Sequence, residues 1–192
     1  AKASDVDGSW LMAFQTTTPD STSYCQINGI YVDGSGNIYV AGYIQSNVTF
    51  GATTTELGTS NIAIFVAKAD NAGSWLWVLY DTASTIGAFS QLNGICSSQD
   101  GNVYVSGYFN TLAVLGGTTL TTTGGVDNPI VAKVNASGSW TWISQGTSTA
   151  PGFGDGYQVK SDSSGNLYIT GIFFGSVSFG PTTLTNTGMS DD

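Results

Sequence analysis

The sequence predicts an all-β chain in which four-stranded antiparallel units repeat. First, the tripeptide Gly-Ser-Trp occurs three times at a constant spacing of 65 residues, at positions 8–10, 73–75 and 138–140. Second, β-branched and aromatic residues alternate with polar ones between clusters of Gly, Asn, Asp and Ser, which is typical of strands separated by turns. Third, no segment keeps a sustained 3.6-residue apolar period, so we expect no helix longer than about two turns.

The first complete unit is expected to contain four strands. Residues 28–33 and 37–45 form the inner pair, which the turn sequence Asp-Gly-Ser-Gly-Asn joins. Residues 61–70 and 74–82 form the outer pair, which Asp-Asn-Ala-Gly joins. Both linkers have the residue types that favour tight turns, so each pair is predicted to be an antiparallel hairpin.

A Thr-rich segment follows the second strand of each unit and is predicted to form an additional hairpin. It occupies residues 48–57, 113–120 and 177–184. Four-stranded antiparallel units that repeat along a chain indicate the blades of a β-propeller. The additional hairpin explains why this repeat is longer than the roughly 40 to 50 residues of common propeller repeats.

The most regular motif is Gly-Asn-[Ile/Val/Leu]-Tyr-[Ile/Val]-x-Gly, at residues 36–42, 101–107 and 165–171. Together with [Ile/Phe]-Val-Ala-Lys and Gly-Ser-Trp-x-Trp, this motif resembles the SBBP repeat, a family of seven-bladed β-propeller repeats. The resemblance covers nearly the whole chain in three copies. It implies a β-propeller of four-stranded antiparallel blades, of a kind similar to repeats in secreted and surface proteins. The family carries no established catalytic residues.

The three copies leave one unit split between the two ends of the chain. Residues 1–192 are expected to be a single propeller or propeller segment, with complete units at 25–89 and 90–156 and a split unit made of 1–24 plus 157–192. Three blades are too few to close a ring, since propellers typically have about 4 to 8. Either the chain is a fragment of a longer propeller, or several copies complete each other's split blade head to tail.

Composition excludes several functions. The net charge of -9, with only four Lys and Arg residues, argues against nucleic-acid binding, because phosphate contacts need basic side chains. No apolar run is long enough to span a membrane as a helix. Histidine is absent, so the commonest general base and metal ligand is missing. We therefore expect no metal, no cofactor and no enzyme, with hydrolysis by Asp residues the only catalytic route left open.

Two groups of residues are candidates for ligand binding. The loops that join one unit to the next, at residues 16–26, 83–91 and 146–156, are polar and carry equivalent aromatic residues. Loops on a rigid scaffold commonly carry function, and these aromatic rings either stack on a sugar or cover the ends of the core between blades. Lys160 is expected on the innermost strand, either solvated or in contact with a ligand. The weak candidates are Tyr24, Phe89, Phe153, Asp155 and Lys160.

Most other recurring residues have a structural interpretation. The three tryptophans of Gly-Ser-Trp are predicted to fill the space between adjacent blades. The Asp and Asn residues of the turns, such as Asp33 and Asn37, are predicted to bond nearby backbone amides rather than calcium. Lys2, Lys68 and Lys133 end the third strands and are predicted to protect sheet edges. Cys25 and Cys96 are expected to be buried free thiols.

The sequence therefore favours a non-enzymatic structural or protein-interaction propeller, secreted or on a cell or particle surface. A carbohydrate-binding propeller that uses the loop aromatics is the alternative. The expected partner is another protein or a second copy bound through open blade edges. A glycan is the alternative ligand, and neither nucleic acid nor a membrane span is expected.

Overall fold

The computed structural model describes residues 1–58, 61–81, 89–98, 100–122 and 126–186. Within these ranges all regular elements are β-strands and no helix occurs, which confirms the all-β prediction. No helix among the described residues is long and apolar enough to cross a membrane. The strands are, in chain order, β1 (Lys2–Ala3), β2 (Trp10–Met12), β3 (Tyr24–Val32), β4 (Ile38–Gln45), β5 (Thr49–Phe50), β6 (Thr53–Thr54), β7 (Ile62–Ala69), β8 (Trp75–Tyr80), β9 (Ser90–Ser97), β10 (Val103–Asn110), β11 (Leu112–Leu115), β12 (Thr118–Thr121), β13 (Asp127–Val134), β14 (Trp140–Gln145), β15 (Thr147–Ser161), β16 (Leu167–Phe179) and β17 (Thr182–Thr185).

Two four-stranded antiparallel sheets form the centre of the chain. The first sheet has the order β3-β4-β7-β8 and the second has the order β9-β10-β13-β14. Within each sheet the strands follow the order of the chain, with the hairpin β5–β6 or β11–β12 inserted between the second and third strands. The registers of the two sheets correspond: Tyr39 pairs with Lys68 in the first sheet as Tyr104 pairs with Lys133 in the second. The predicted four-stranded unit is thus confirmed twice.

The Thr-rich segments form hairpins, as predicted. β5 pairs with β6 and β11 pairs with β12, and each hairpin covers one face of its own sheet. Val48 and Phe50 of the first hairpin are buried with Phe65 of β7, on the face that points away from the second sheet. The hairpin adds apolar surface to each unit, which accounts for the length of the repeat.

The first and second sheets share an apolar core. Tyr39 and Val66 of the first sheet pack with Val105 and Phe109 of the second sheet. The inner strand β9 contacts β3 and β4 of the first sheet, and β15 in turn contacts β9 and β10. The sheets therefore stack face to face in chain order.

The third repeat forms only half of such a unit. Its sheet has the order β15-β16-β17, and the N-terminal strands β1 and β2 pair in a separate two-stranded sheet. The segment 146–156 was predicted as a loop, and this prediction is wrong. Residues 147–149 pair with 176–178 at the far end of β16, so most of the segment belongs to the long strand β15.

The N-terminal hairpin lies against the first sheet. Met12 and Phe14 pack on the face of that sheet that carries Phe50 and Phe65. A Cβ added to Gly73 would lie 2.9 Å from a ring carbon of Phe14, and one added to Gly138 would lie 2.8 Å from the ring of Trp77. The N-terminal hairpin thus packs against the first sheet in the way that β7 and β8 pack against the second sheet.

Candidate functional site

The edge of β16 is the largest departure of the third repeat from the other two. Tyr168 is 61% exposed, whereas its counterparts Tyr39 and Tyr104 are 1% and 8% exposed. Ile169 is 45% exposed, although the corresponding valines of the first two sheets are buried. In those sheets the third strand, β7 or β13, pairs with this edge, and Tyr39 and Tyr104 also pack toward the sheet that follows, in clusters with Ile95 and Val159. The edge of β16 before residue 176 has no such strand among the described residues.

An apolar cavity lies beside this open edge. Its volume is about 500 Å³, and Ile169, Phe173, Val177, Phe179 and Pro129 contribute to its wall. In the first sheet, the ring of Phe65 from β7 lies 5.2 Å from the ring of Phe50, the counterpart of Phe179. The cavity therefore occupies the place that apolar side chains of a third strand fill in the first sheet.

The lysines that end the third strands contact tyrosines. Lys68 Nζ lies 4.9 Å from the ring centroid of Tyr39, and Lys133 Nζ lies 5.6 Å from that of Tyr104. Both lysines are on strands that have a neighbour on each side. The prediction that Lys68 and Lys133 protect a sheet edge is therefore wrong, and their role is a cation–π contact across two paired strands.

Of the predicted loops, residues 24–26 instead begin β3, so that part of the prediction is wrong, and residues 83–88 lie outside the described part of the chain. The aromatic residues of these segments are only partly brought together. Tyr24 lies 5.8 Å from Tyr43, Tyr43 lies 5.5 Å from Phe89, and Phe89 lies 6.1 Å from Tyr108, all between ring centroids. This row crosses from the first sheet to the second, so it covers the end of the shared core. Tyr24 and Phe89 are 47% and 39% exposed. Phe153 stacks instead on Phe174 of its own sheet, at 6.3 Å.

An open polar groove of about 640 Å³ lies between the inner strands. Gln91, Asn93, Tyr108, Asp155 and Gln158 are among the residues that line it. Burial raises the pKa of Tyr108, and the nearby carboxylate of Asp155 raises it further. The groove therefore presents amides, hydroxyl groups and one carboxylate, a set suited to hydrogen bonding with neutral polar ligands.

The predicted Lys160 site is not part of this groove. Lys160 lies on β15 and is exposed, as expected for a solvated side chain. It is close enough to the buried thiol of Cys96 to oppose the rise in the pKa of that thiol, which burial causes. Cys25 is half-buried, and burial raises its pKa too. Both cysteines are free, as predicted.

The tryptophans differ more than their repetition suggests. Trp75 packs on Phe50 at 5.1 Å and on Phe14 at 5.3 Å, and Trp140 is partly buried against the shared core. Trp10 is 77% exposed. The prediction that Trp10 fills a space between blades is thus wrong among the described residues, because no Thr-rich hairpin packs on it as the hairpin that carries Phe50 packs on Trp75.

The turn prediction is confirmed. The carboxylate of Asp33 accepts hydrogen bonds from the backbone amides of Ser35 and Asn37, both at 2.9 Å. Asp162 accepts equivalent bonds from Ser164 and Asn166, at 2.9 and 2.8 Å. The hydrogen bonds that Asn166 donates lower the pKa of Asp162. The ionised form of the carboxylate is therefore the one that stabilises the turn.

Sequence reasoning missed a hydrogen bond between sheets. Asn28 donates its side-chain amide to the backbone oxygen of Leu92 at 2.9 Å, and Asn93 donates to that of Gly156 at 2.9 Å. The preceding glutamine in each sheet donates to the asparagine oxygen, at 2.7 and 2.6 Å. The recurring pattern Gln-x-Asn, at residues 26–28 and 91–93, was the available signal. In the third repeat the corresponding residues are Asp155 and Tyr157.

The fold defines a class of protein, namely an all-β chain of repeated antiparallel sheets stacked through their inner strands. Residues 20–48, which include β3 and β4, match the SBBP family model, described as a beta-propeller repeat. This match confirms the family resemblance of the sequence motifs over that segment. No curated protein matches this chain.

Proposed function

We propose that this chain is a non-enzymatic structural or protein-interaction module that binds its partner by adding a strand to β16. One observation carries the proposal: Ile169 is 45% exposed beside an unpaired strand edge, whereas a third strand pairs with the same edge in both other repeats and the corresponding valines are buried. An unpaired strand edge presents backbone donors and acceptors that pair readily with another extended segment. Strand addition gives affinity through these backbone groups and specificity through pockets for alternate side chains.

The cavity and the paired sheets describe the strand that fits. In the first sheet that strand is β7, in which Phe65 reaches the hairpin and Lys68 covers Tyr39. A partner strand for β16 therefore carries apolar residues at alternate positions, followed by a basic residue opposite Tyr168. This proposal needs no catalytic group, and it agrees with the Asp residues of the turns being bonded to their own backbone.

The proposal is tested with a labelled peptide of residues 61–80, which contains the sequences of β7 and β8. The peptide also carries a polar tag that keeps it soluble. We expect the full chain to bind it, with binding measured by fluorescence anisotropy. Ile169→Lys places a charge at the edge and is expected to weaken binding at least about tenfold. Ile30→Lys is the matched control, because Ile30 is 61% exposed on another strand. Equal binding to both variants, or no binding to the parent chain, refutes the proposal.

A surface or extracellular location is part of the same proposal. It is supported by the low charge content, 9% of residues, and by the resemblance to repeats of secreted and surface proteins. A chain that carries out its role outside the cell must be found there, so fractionation of the source cells with an antibody to this chain is the direct measurement. Recovery in the soluble cytosol alone contradicts this part.

Carbohydrate binding is the second candidate function, and the polar groove favours it. The half-exposed rings of Tyr24 and Phe89 offer stacking surfaces, and Asp155 and Gln158 offer hydrogen-bonding groups in the groove. Reproducible binding on a glycan array that is lost in Asp155→Asn and Gln158→Ala supports this function. Glycan binding that survives both substitutions places the sugar elsewhere.

A further inference from the structure

Each complete sheet has an inner and an outer half, and three contacts join the two halves. In the third repeat the residues that would make these contacts lie in two separate sheets. The inner half consists of the first two strands and the Thr-rich hairpin, and the outer half consists of the last two strands. The third sheet is an inner half, and the hairpin formed by β1 and β2 is an outer half. The two halves are in separate sheets, and the first and second sheets lie between them.

The first contact is the lysine over tyrosine. Lys68 covers Tyr39 in the first sheet, and Lys133 covers Tyr104 in the second. The tyrosine of the third sheet is Tyr168, at the exposed edge of β16. The remaining lysine of this repeat position is Lys2, which is exposed on β1.

The second contact is a tryptophan on the glycine at the tip of the Thr-rich hairpin. A Cβ added to Gly51 would lie 3.3 Å from the Cβ of Trp75, and one added to Gly116 would lie 2.7 Å from that of Trp140. The equivalent glycine of the third sheet is Gly180, which has no described atom within 4 Å of such a Cβ. Its repeat partner is the exposed Trp10.

The third contact joins the turns of the two hairpins. A Cβ added to Gly36 would lie 3.1 Å from the Cβ of Asn71, and one added to Gly101 would lie 3.3 Å from that of Ala136. The equivalent Gly165 has nothing within 4 Å in the described part of the chain. The turn between β1 and β2, which contains Val6, is largely exposed.

The N-terminal hairpin already has the conformation of an outer half. Lys2 pairs with Met12 and Ala3 pairs with Trp10, with a register shift between the two pairs. In the first sheet Lys68 pairs with Trp77 and Ala69 pairs with Trp75, with the same shift. β1 and β2 are therefore a short version of β7 and β8.

We propose that the β1–β2 hairpin of a second copy of this chain extends the third sheet, with β1 beside the start of β16. Residues 1–3 carry no counterpart of Phe65, so this contact leaves the apolar cavity unfilled. This places Lys2 over Tyr168, Trp10 on Gly180 and the turn of the hairpin beside Gly165. The inference rests on the proposed function, since it names the partner that adds the strand. Both copies carry a net charge of -9, so salt screens their mutual repulsion and the contact persists at high ionic strength.

Crosslinking between copies tests this register directly. One copy carries Lys2→Cys and the other carries Tyr168→Cys, both with Cys25 and Cys96 replaced by Ala. Tyr39 and Lys68 are direct cross-strand partners, and such pairs have Cα separations within disulfide range. We expect a mixed disulfide dimer after mild oxidation, because crosslinking captures even a weak contact made by a strand of two residues.

The control pairs the Lys2→Cys copy with a copy that carries Ile30→Cys, which is exposed on β3. We expect several-fold less mixed dimer from this pair. As a positive control, a single chain that carries both Tyr39→Cys and Lys68→Cys shows whether this register permits a disulfide. Equal yields from the two mixtures, or no mixed dimer from Lys2→Cys with Tyr168→Cys, overturn the inference. If the peptide of residues 61–80 still binds in that case, the proposed function stands and only the identity of the partner is wrong.

Light scattering at high protein concentration gives a second readout. Trp10→Ala removes a side chain that is 77% exposed, so the chain is expected to fold normally while its self-association weakens. Unchanged self-association in this variant counts against the proposed contact with Gly180.

Discussion

Replacement of Gly107 by Ala is expected to destabilise the second sheet strongly. Gly107 ends the Gly-Asn-Val-Tyr-Val-Ser-Gly motif on β10, opposite a bulge in β9, where the register shifts between Ser106 and Gly107. A Cβ at this position would lie 2.0 Å from the backbone oxygen of Gln91 and 2.8 Å from the Cα of Leu92. The same approach recurs at Gly42 and Gly171, at 1.9 and 2.0 Å, which explains the motif's last residue.

The magnitude follows from what must move. The clashing atoms belong to the backbone, so no side-chain rotation relieves the contact and β9 must shift away from β10. Overpacking of this kind costs about 1 to 3 kcal/mol. Weakening of one or two ladder hydrogen bonds beside the bulge adds about 1 kcal/mol for each bond. The expected loss is therefore about 3 kcal/mol or more, a large fraction of the roughly 5 to 15 kcal/mol that stabilises an ordinary domain.

Urea unfolding monitored by tryptophan fluorescence measures this loss. Gly34→Ala is the matched control, because Gly34 lies in the turn between β3 and β4 and a Cβ there meets nothing within 4 Å. We expect the control to change the free energy of unfolding by less than about 0.5 kcal/mol. A loss below about 1 kcal/mol for Gly107→Ala would show that the bulge accommodates a side chain and that the steric reasoning is incorrect.

Three further predictions use other contacts. Trp75→Ala is expected to lower the free energy of unfolding by about 3 kcal/mol because the ring packs on Phe50, whereas Trp10→Ala is expected to lower it by less than about 1 kcal/mol. Equal losses in urea unfolding would contradict this difference in packing. Asn93→Ala leaves a backbone oxygen and a glutamine amide without their partner and is expected to cost about 2 kcal/mol in the same assay. Partial burial raises the pKa of Asp33, but hydrogen bonds from the turn amides outweigh it and lower the pKa in the folded state. The ionised carboxylate therefore stabilises the fold above the unfolded pKa of about 3.9, and this stabilisation is lost as the pH falls through the lower folded value. Asp33→Asn is expected to flatten the dependence of the unfolding free energy on pH below about 4, and an unchanged profile refutes this.

The strands were predictable because their pattern is local. Alternation and turn residues placed β4 and β7 to within one residue at each end. Residues 147–153 misled the prediction, because their Thr, Ser, Pro and Gly residues are typical of loops. They form a strand only because the end of β16 is available to pair with them, and this partner lies more than 20 residues away in the chain.

The candidate site was less predictable because it depends on which neighbours are present. Trp10 and Tyr168 match their counterparts in the other repeats, and repetition alone indicated burial for Trp10. Within the described residues Trp10 lies in a two-stranded sheet and Tyr168 in a three-stranded one, so both lack neighbours that their counterparts have. The Asn28 and Asn93 contacts were missed for a related reason, since each acceptor lies 64 or 63 positions further along the chain.

These asparagine contacts also affect how freely the repeats can diverge. Each asparagine binds a backbone oxygen of the next repeat, which is that of Leu92 in one case and that of Gly156 in the other. Every residue type supplies the same carbonyl group, so a mutation at the accepting position leaves the acceptor in place. The hydrogen bond therefore constrains the side chain of the donor alone, and the side chain of the accepting residue is constrained only by packing. Leu92 is fully buried, and a Cβ on Gly156 would lie 3.0 Å from the backbone oxygen of Gly107, so packing and not the hydrogen bond limits how these two positions diverge.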